Sequence, residues 1–302
     1  MATTYFRGPG KAPASAANVS PSAAEAAAWQ LFSAHTADQS ALWFDVPSSR
    51  LYQRLGAADA ASGAKLVDRC GSRVFVAHPT RNRHPFIIND NVTGRPVLCF
   101  GAGGAAPNDL NNTFSGVLHD ALGDNAAGLF APDTGWSLAA KVRVPANGAT
   151  VNGVAFSTNT GGCVLGSMGA TTADASSFLE FDQSNGRTRA YNQRSVGTTN
   201  QFYGDSTDRR DGLWHDYVIT YDDVAGIYRC WTDGALAGTV TGCTTDIPSA
   251  AGSDQPMLGA TTDTGGYAAR FGGFLACLYW LPGPVLNGDD DRATTRALMA
   301  TR

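Results

Sequence analysis

From Ala41 on, short apolar or alternating stretches recur along this chain, parted by turn residues. Leu42-Trp43-Phe44-Asp45 opens the pattern. Leu66-Val67-Asp68-Arg69, Val74-Phe75-Val76 and Gly94-Arg95-Pro96-Val97-Leu98-Cys99-Phe100-Gly101 continue it. Further strands are predicted at 136–144, 151–157, 163–168, 177–183, 187–193, 213–221, 226–232, 235–241, 257–260 and 268–281. Short strands at such spacing, parted by Gly-rich turns, argue for an all-β sandwich. The stretch 273–281 is apolar on both faces, which predicts a central strand.

The two ends read differently. Residues 1–40 are rich in Ala and Ser, and their charges cancel. Ser20 reads as an N-cap and Pro21 as a first helical residue, so Ala23 to Phe32 is predicted to be a short helix carrying Trp29, Leu31 and Phe32. The segment is either a disordered tail or an arm that docks on a neighbouring subunit through those three residues. Residues 287–302 are predicted to form a terminal helix, with Asp289, Asp290 and Asp291 in its first turn and arginines later, as the helix dipole favours. The expected organisation is an arm over 1–40 and a sandwich over 41–302.

Composition narrows the partners. A formal net charge of −4 creates no global field that would favour nucleic acid or an anionic membrane. The longest uncharged apolar run is far too short to span a bilayer. Residues 1–11 lack the apolar stretch of a secretory signal, so assembly in a host cytoplasm is expected. Cys70, Cys99, Cys163, Cys230, Cys243 and Cys277 are widely spaced, which argues against zinc and predicts free buried thiols. Residues 65–95 hold six basic residues against two acidic ones, a local +4, and read as a long solvated loop.

One stretch is more specific. Trp214-His215 opens an alternating strand that ends in Tyr221-Asp222, and a second strand ends in Asp233-Gly234, a strong hairpin signal. With Leu42-Trp43-Phe44-Asp45, and with Arg95-Pro96 leading to Phe100-Gly101, this order resembles the concanavalin A-like lectin/laminin G-like jelly rolls. The resemblance covers about residues 41–302 and implies a two-sheet sandwich that displays a binding face.

Ser184-Asn185-Gly186-Arg187 lies between two strand patterns. A two-residue Asn-Gly turn would set Ser184 opposite Arg187, Asp182 opposite Arg189, Glu180 opposite Tyr191 and Phe178 opposite Gln193. Glu180, Asp182, Arg189, Tyr191 and Gln193 would then share one face, with the planar polar groups and aromatic ring that a glycan needs. The alternative is a solvated face with a cross-strand ion pair of ~0.2–1 kcal/mol. Glu180-Phe181-Asp182 also resembles the Glu-x-Asp-x-x-Glu strand of a jelly-roll glycoside hydrolase family. The third carboxylate is replaced here by Asn185, which cannot shuttle a proton, so no catalytic residue is expected.

Asn108, Asp109 and Asn111 offer close oxygen ligands, and calcium is the cation they would suit. The same cluster also suits a turn. The histidines are scattered, and His215 belongs to a strand pattern, where it is expected to be structural. There is no nucleophile elbow and no phosphate-binding loop.

Lectin-like domains behind short arms resemble capsid-decoration, head-fibre or tail-fibre modules of tailed bacteriophages. The leading expectation is therefore a non-enzymatic virion structural protein, homo-oligomeric through its arm, that meets other virion subunits and a host-surface glycan. The alternative is a soluble carbohydrate-binding module. A polysaccharide hydrolase or lyase would need convergent acid/base residues, and the sequence supplies none.

Overall fold

The computed structural model describes residues 22–35, 40–46, 50–52, 65–68, 73–77, 85–101, 118–120, 135–156, 160–168, 176–195, 198–243, 255–263, 266–268 and 270–302. The elements run in chain order from helix α1 (Ala23–Ser33) through β1 (Leu42–Asp45), β2 (Arg50–Tyr52), β3 (Lys65–Val67), β4 (Val74–Ala77), β5 (Phe86–Asn89), β6 (Pro96–Cys99) and β7 (Leu118–Asp120). Next come β8 (Gly135–Arg143), β9 (Thr150–Val151), β10 (Val154–Ala155), β11 (Gly162–Met168), β12 (Ser176–Phe181), β13 (Thr188–Ser195) and β14 (Thr198–Asp205). The last group is β15 (Trp214–Asp222), β16 (Ile227–Thr232), β17 (Ala235–Thr241), β18 (Gln255–Leu258), β19 (Thr261–Asp263), β20 (Gly266–Ala268), β21 (Phe274–Pro282) and helix α2 (Asp289–Ala300).

Two large sheets hold most of these strands, as a jelly-roll sandwich does. One runs β17-β16-β15-β8-β21-β6-β5, with β1 also on β21. The other runs β14-β13-β12-β11-β18-β7-β4-β3-β2. β21 pairs with β8 along one edge and with β1 and β6 in tandem along the other. Its two apolar faces follow from that position. Leu275, Leu278 and Trp280 enter the main core, where Trp280 stacks on Trp136 and meets Phe178 edge-on. Cys277, Tyr279 and Leu281 point the other way, into a second cluster.

That second cluster corrects one part of the docking-arm expectation, the place of Phe32. Phe32 is fully buried against Trp43 and Tyr279 of its own chain, with Ala28 one turn earlier beside it. Leu31 packs at the margin, and Trp29 is 43% exposed with its ring 6.0 Å from Trp43. An apolar stripe at i, i+4 has found its cover within the chain, so Phe32 is not available to a neighbour. The helix starts at Ala23 as expected. Its cap is Ser22, whose hydroxyl accepts from the Glu25 amide while Glu25 accepts from the Ser22 amide. Ser20 and Pro21 lie outside the described residues.

α2 lies beside α1, and Arg302 clamps the two ends together. Its guanidinium meets Glu25 of α1 at 2.6 Å and the fully buried Asp45 of β1 at 2.5 Å. The acids of α2 do occupy its first turn, but its arginines serve neighbours rather than the last turn. Arg292 lies over the Trp231 ring, and Arg296 donates to the Asp233 carbonyl. Residues 65–95 are not one solvated loop, since they contain β3, β4 and β5 and the fully buried Arg73.

The Trp-His hairpin forms as expected. β15 pairs with β16 from Tyr217 opposite Thr232 to Asp222 opposite Ile227, and Asp233-Gly234 then closes the next hairpin, β16 on β17, with Thr232 opposite Ala235 and both turn residues at positive φ, 52° and 87°. Its signature residues serve packing. Trp214 donates its indole N–H to Asp90, and His215 lies between Asp233 and Asp211. Cys99, Cys163, Cys230, Cys243 and Cys277 are free and buried.

Candidate functional site

β11, β12, β13 and β14 are consecutive neighbours in the nine-stranded sheet, and their register builds one row across it. Cys163 pairs with Glu180, Glu180 with Arg189, and Arg189 with Tyr203. Paired residues share a face. The row therefore projects outward while Leu179, Phe181, Ala190 and Phe202 fill the core behind it. Burial declines steadily along it. Cys163 is fully buried, Glu180 is nearly so, the Arg189 side chain is 20% exposed, and Tyr203 at the edge strand is 40% exposed.

This register differs from the expected one by two residues. The turn closes through Asp182, whose amide donates to the Arg187 carbonyl and whose own carbonyl accepts from Gly186. Glu180 therefore faces Arg189, in place of Asp182. A shift of two preserves the faces, so Glu180, Asp182 and Arg189 still meet. A bulge between Ser177 and Glu180 breaks the alternation further back. It turns Phe178 into the core against Trp136, so Phe178 does not share the polar face. Tyr191 and Gln193 follow on β13, where only the backbone is described; Tyr191 pairs with Ser177 and Gln193 with Thr199. Asn108, Asp109 and Asn111, the calcium candidates, lie outside the described residues. Among the described residues, no cluster of His, Cys, Asp and Glu could hold a metal ion.

Arg189 organises the polar groups. Its Nη2 and Nε donate to Glu180 Oε1 at 2.6 and 3.2 Å, and its Nη1 donates to Asp182 Oδ2 at 3.3 Å. Glu180 Oε2 accepts from the Ser177 hydroxyl at 2.7 Å. Asp182 Oδ1 accepts from the amide and hydroxyl of Ser184, and Oδ2 also accepts from Asn185. Burial alone would raise the Asp182 pKa. The Ser184 bonds, the Arg189 charge and Asn185 outweigh it and hold the carboxyl below the usual range. Desolvation works against the Arg189 charge, yet Glu180 and Asp182 keep its pKa above the ordinary arginine value. Burial, reinforced by Glu180, pushes the Cys163 thiol well up, so it is no nucleophile.

The segment 206–213 supports this turn. The Arg209 amide donates to the Gly186 carbonyl, and Arg210 donates to the Gln183 carbonyl while pairing with Asp208. Gly186 has φ +69°, and a Cβ there would strike the Asp208 carboxylate. Only glycine fits both constraints. The far end of the segment is tied down by Asp211 on His215.

Tyr203 was missed in the sequence because its strand was missed. Thr198–Asp205 opens with four polar residues, and no alternation shows before Phe202. The one available signal was Phe202-Tyr203, a buried ring beside an exposed one.

No protein-family model matches the chain, and no curated protein matches its sequence. Solved structures do match. A botulinum neurotoxin type C structure has a TM-score of 0.51 at 9% identity, over 86% of this chain and 52% of that one. The CBM40 domain of the Ruminococcus gnavus IT-sialidase, solved with α2,3-sialyllactose, has a TM-score of 0.46 at 14% identity, over 65% of this chain and 92% of that one. A leech intramolecular trans-sialidase has a TM-score of 0.46 at 13% identity, over 66% of this chain and 27% of that one. At such identities the likeness is one of fold.

Proposed function

We propose that this chain is a carbohydrate-binding module that takes its ligand on the outer face of β12, β13 and β14. One observation carries the reading: the row rises from a buried acid through a part-exposed guanidinium to the half-exposed ring of Tyr203. A sugar offers an apolar C–H face to a ring and hydroxyls to planar polar groups beside it. Tyr203 supplies the first, and Arg189 with the edge of Asp182 supplies the second. The fold is compatible with this role, and the botulinum neurotoxin structure that shares it concerns interaction with two ganglioside molecules.

The module is read as non-catalytic. Glu180 and Asp182 share one guanidinium, and Asn185 donates to Asp182 from the position where a third carboxylate would be needed. A virion role had rested partly on a free arm, and the burial of Phe32 in its own chain removes that support.

The test is Tyr203→Ala in the full chain on a glycan array. Binding is expected to drop at least tenfold with only a small loss of melting temperature, because the ring is 40% exposed although its side chain also bonds Arg189. Retained binding would move the site off this face.

A further inference from the structure

We infer that this face accepts neutral glycans and rejects those that present a carboxylate. The inference rests on the carbohydrate-binding reading and adds the class of ligand. Proteins take up a sugar carboxylate most effectively through an arginine whose Nε–Nη2 edge can grip both oxygens. In this row that edge is already gripped, since Nε and Nη2 of Arg189 both donate to Glu180 Oε1. The remaining arm, Nη1, reaches Asp182.

Among the described residues, two arginines that flank the turn are paired in the same way. Arg209 pairs with Asp205 at 2.6 Å and Arg210 with Asp208 at 2.7 Å. Arg187 is exposed in the turn rather than in the row. An arriving carboxylate would therefore meet Glu180 and Asp182 already paired to Arg189, with Arg210 also near Asp182, and would have to displace Glu180 from a nearly dry position. Moving a buried acid away from the cation it pairs with is costly. A neutral sugar faces no such exchange. It needs a ring to lie on and polar atoms at its rim, and the exposed end of the row provides both.

Glu180 is thus a specificity-determining residue that never needs to touch the ligand. It fills the grip that an acidic sugar would otherwise use. The full chain and two variants, Glu180→Gln and Glu180→Ala, would be screened against neutral glycans and their matched carboxylate-bearing forms. The wild-type chain should bind a neutral glycan at least tenfold more tightly than its acidic counterpart. Either variant, checked for a native melting profile, should gain at least tenfold on the acidic form. A wild-type preference for the acidic form would overturn the inference, as would folded variants that gain nothing. Tyr203→Ala separates the two ideas. If it abolishes binding while the acidic form is preferred, the site stands and the selectivity fails. If it changes nothing, or if no glycan binds, both fail.

Discussion

The two sheets treat their outer faces in opposite ways. On the eight-stranded sheet, outward residues of β21 and β1 are mostly apolar, Asp45 excepted, and they are buried. Trp43, Tyr279 and Leu281 lie under α1 and α2, while Phe274 and Ala276 lie under Phe156 and the β9–β10 hairpin. On the nine-stranded sheet, the outward row of β11 to β14 is acid, arginine and tyrosine, and it opens progressively to water. The first face therefore adds core, whereas the second keeps polar groups where a ligand could reach them. A strand apolar on both sides announces a cover.

The largest effect should come from breaking the cover. Phe32→Ala removes a fully buried ring from the second cluster and is expected to cost about 3–5 kcal/mol. Chemical denaturation would measure it, and a cost near zero would mean that α1 is no lid. Arg189→Ala should come next, at about 2 kcal/mol, because it leaves the nearly buried Glu180 without its cation. If Arg189→Lys restores stability but not glycan binding, the planar fork matters for the ligand rather than for the fold.

Acid should erode both regions by a smaller and graded amount. Asp182 on the open face, and Asp90 among the residues that fasten the covered one, have pKa values below the ordinary 3.8. For Asp90, burial pushes upward, and bonds from Thr93, Trp214 and Asn152 overcome it. Unfolded chains take up these protons first as the pH falls. The stabilisation is therefore complete above the ordinary carboxylate value and is lost as the pH falls through the lower folded values. Thermal melts below pH 4 should show the loss, and Asp90→Asn should flatten it. The smallest effect on stability, about 1 kcal/mol, is expected for Tyr203→Ala, which loses a partly exposed ring and its bond to Arg189.

Much of this comparison was legible beforehand. The double-sided apolarity of 273–281 located the central strand, and Asp233-Gly234 located the turn between β16 and β17. Glu180, Asp182 and Arg189 were grouped correctly because a register error of two leaves faces intact. What escaped was non-local. The bulge at Ser177–Glu180 answers to packing against Trp136, which no local pattern encodes. The partner of the Ala28–Phe32 stripe is Trp43 and Tyr279, the latter nearly 250 residues away. β14 was hidden because a polar edge strand looks like a loop until its neighbour is known.

The position of β21 also has a consequence in time. During synthesis from the N-terminus, β1, β6 and β8 all exist before the strand that joins them does. Their apolar edges must wait for residue 282 to clear the ribosome. Until then the nascent chain carries an unclosed sheet, and pairings this distant in sequence form slowly. The chain is thus most prone to aggregate just before β21 arrives, and a product released upstream of Phe274 would lack the strand that joins β1, β6 and β8.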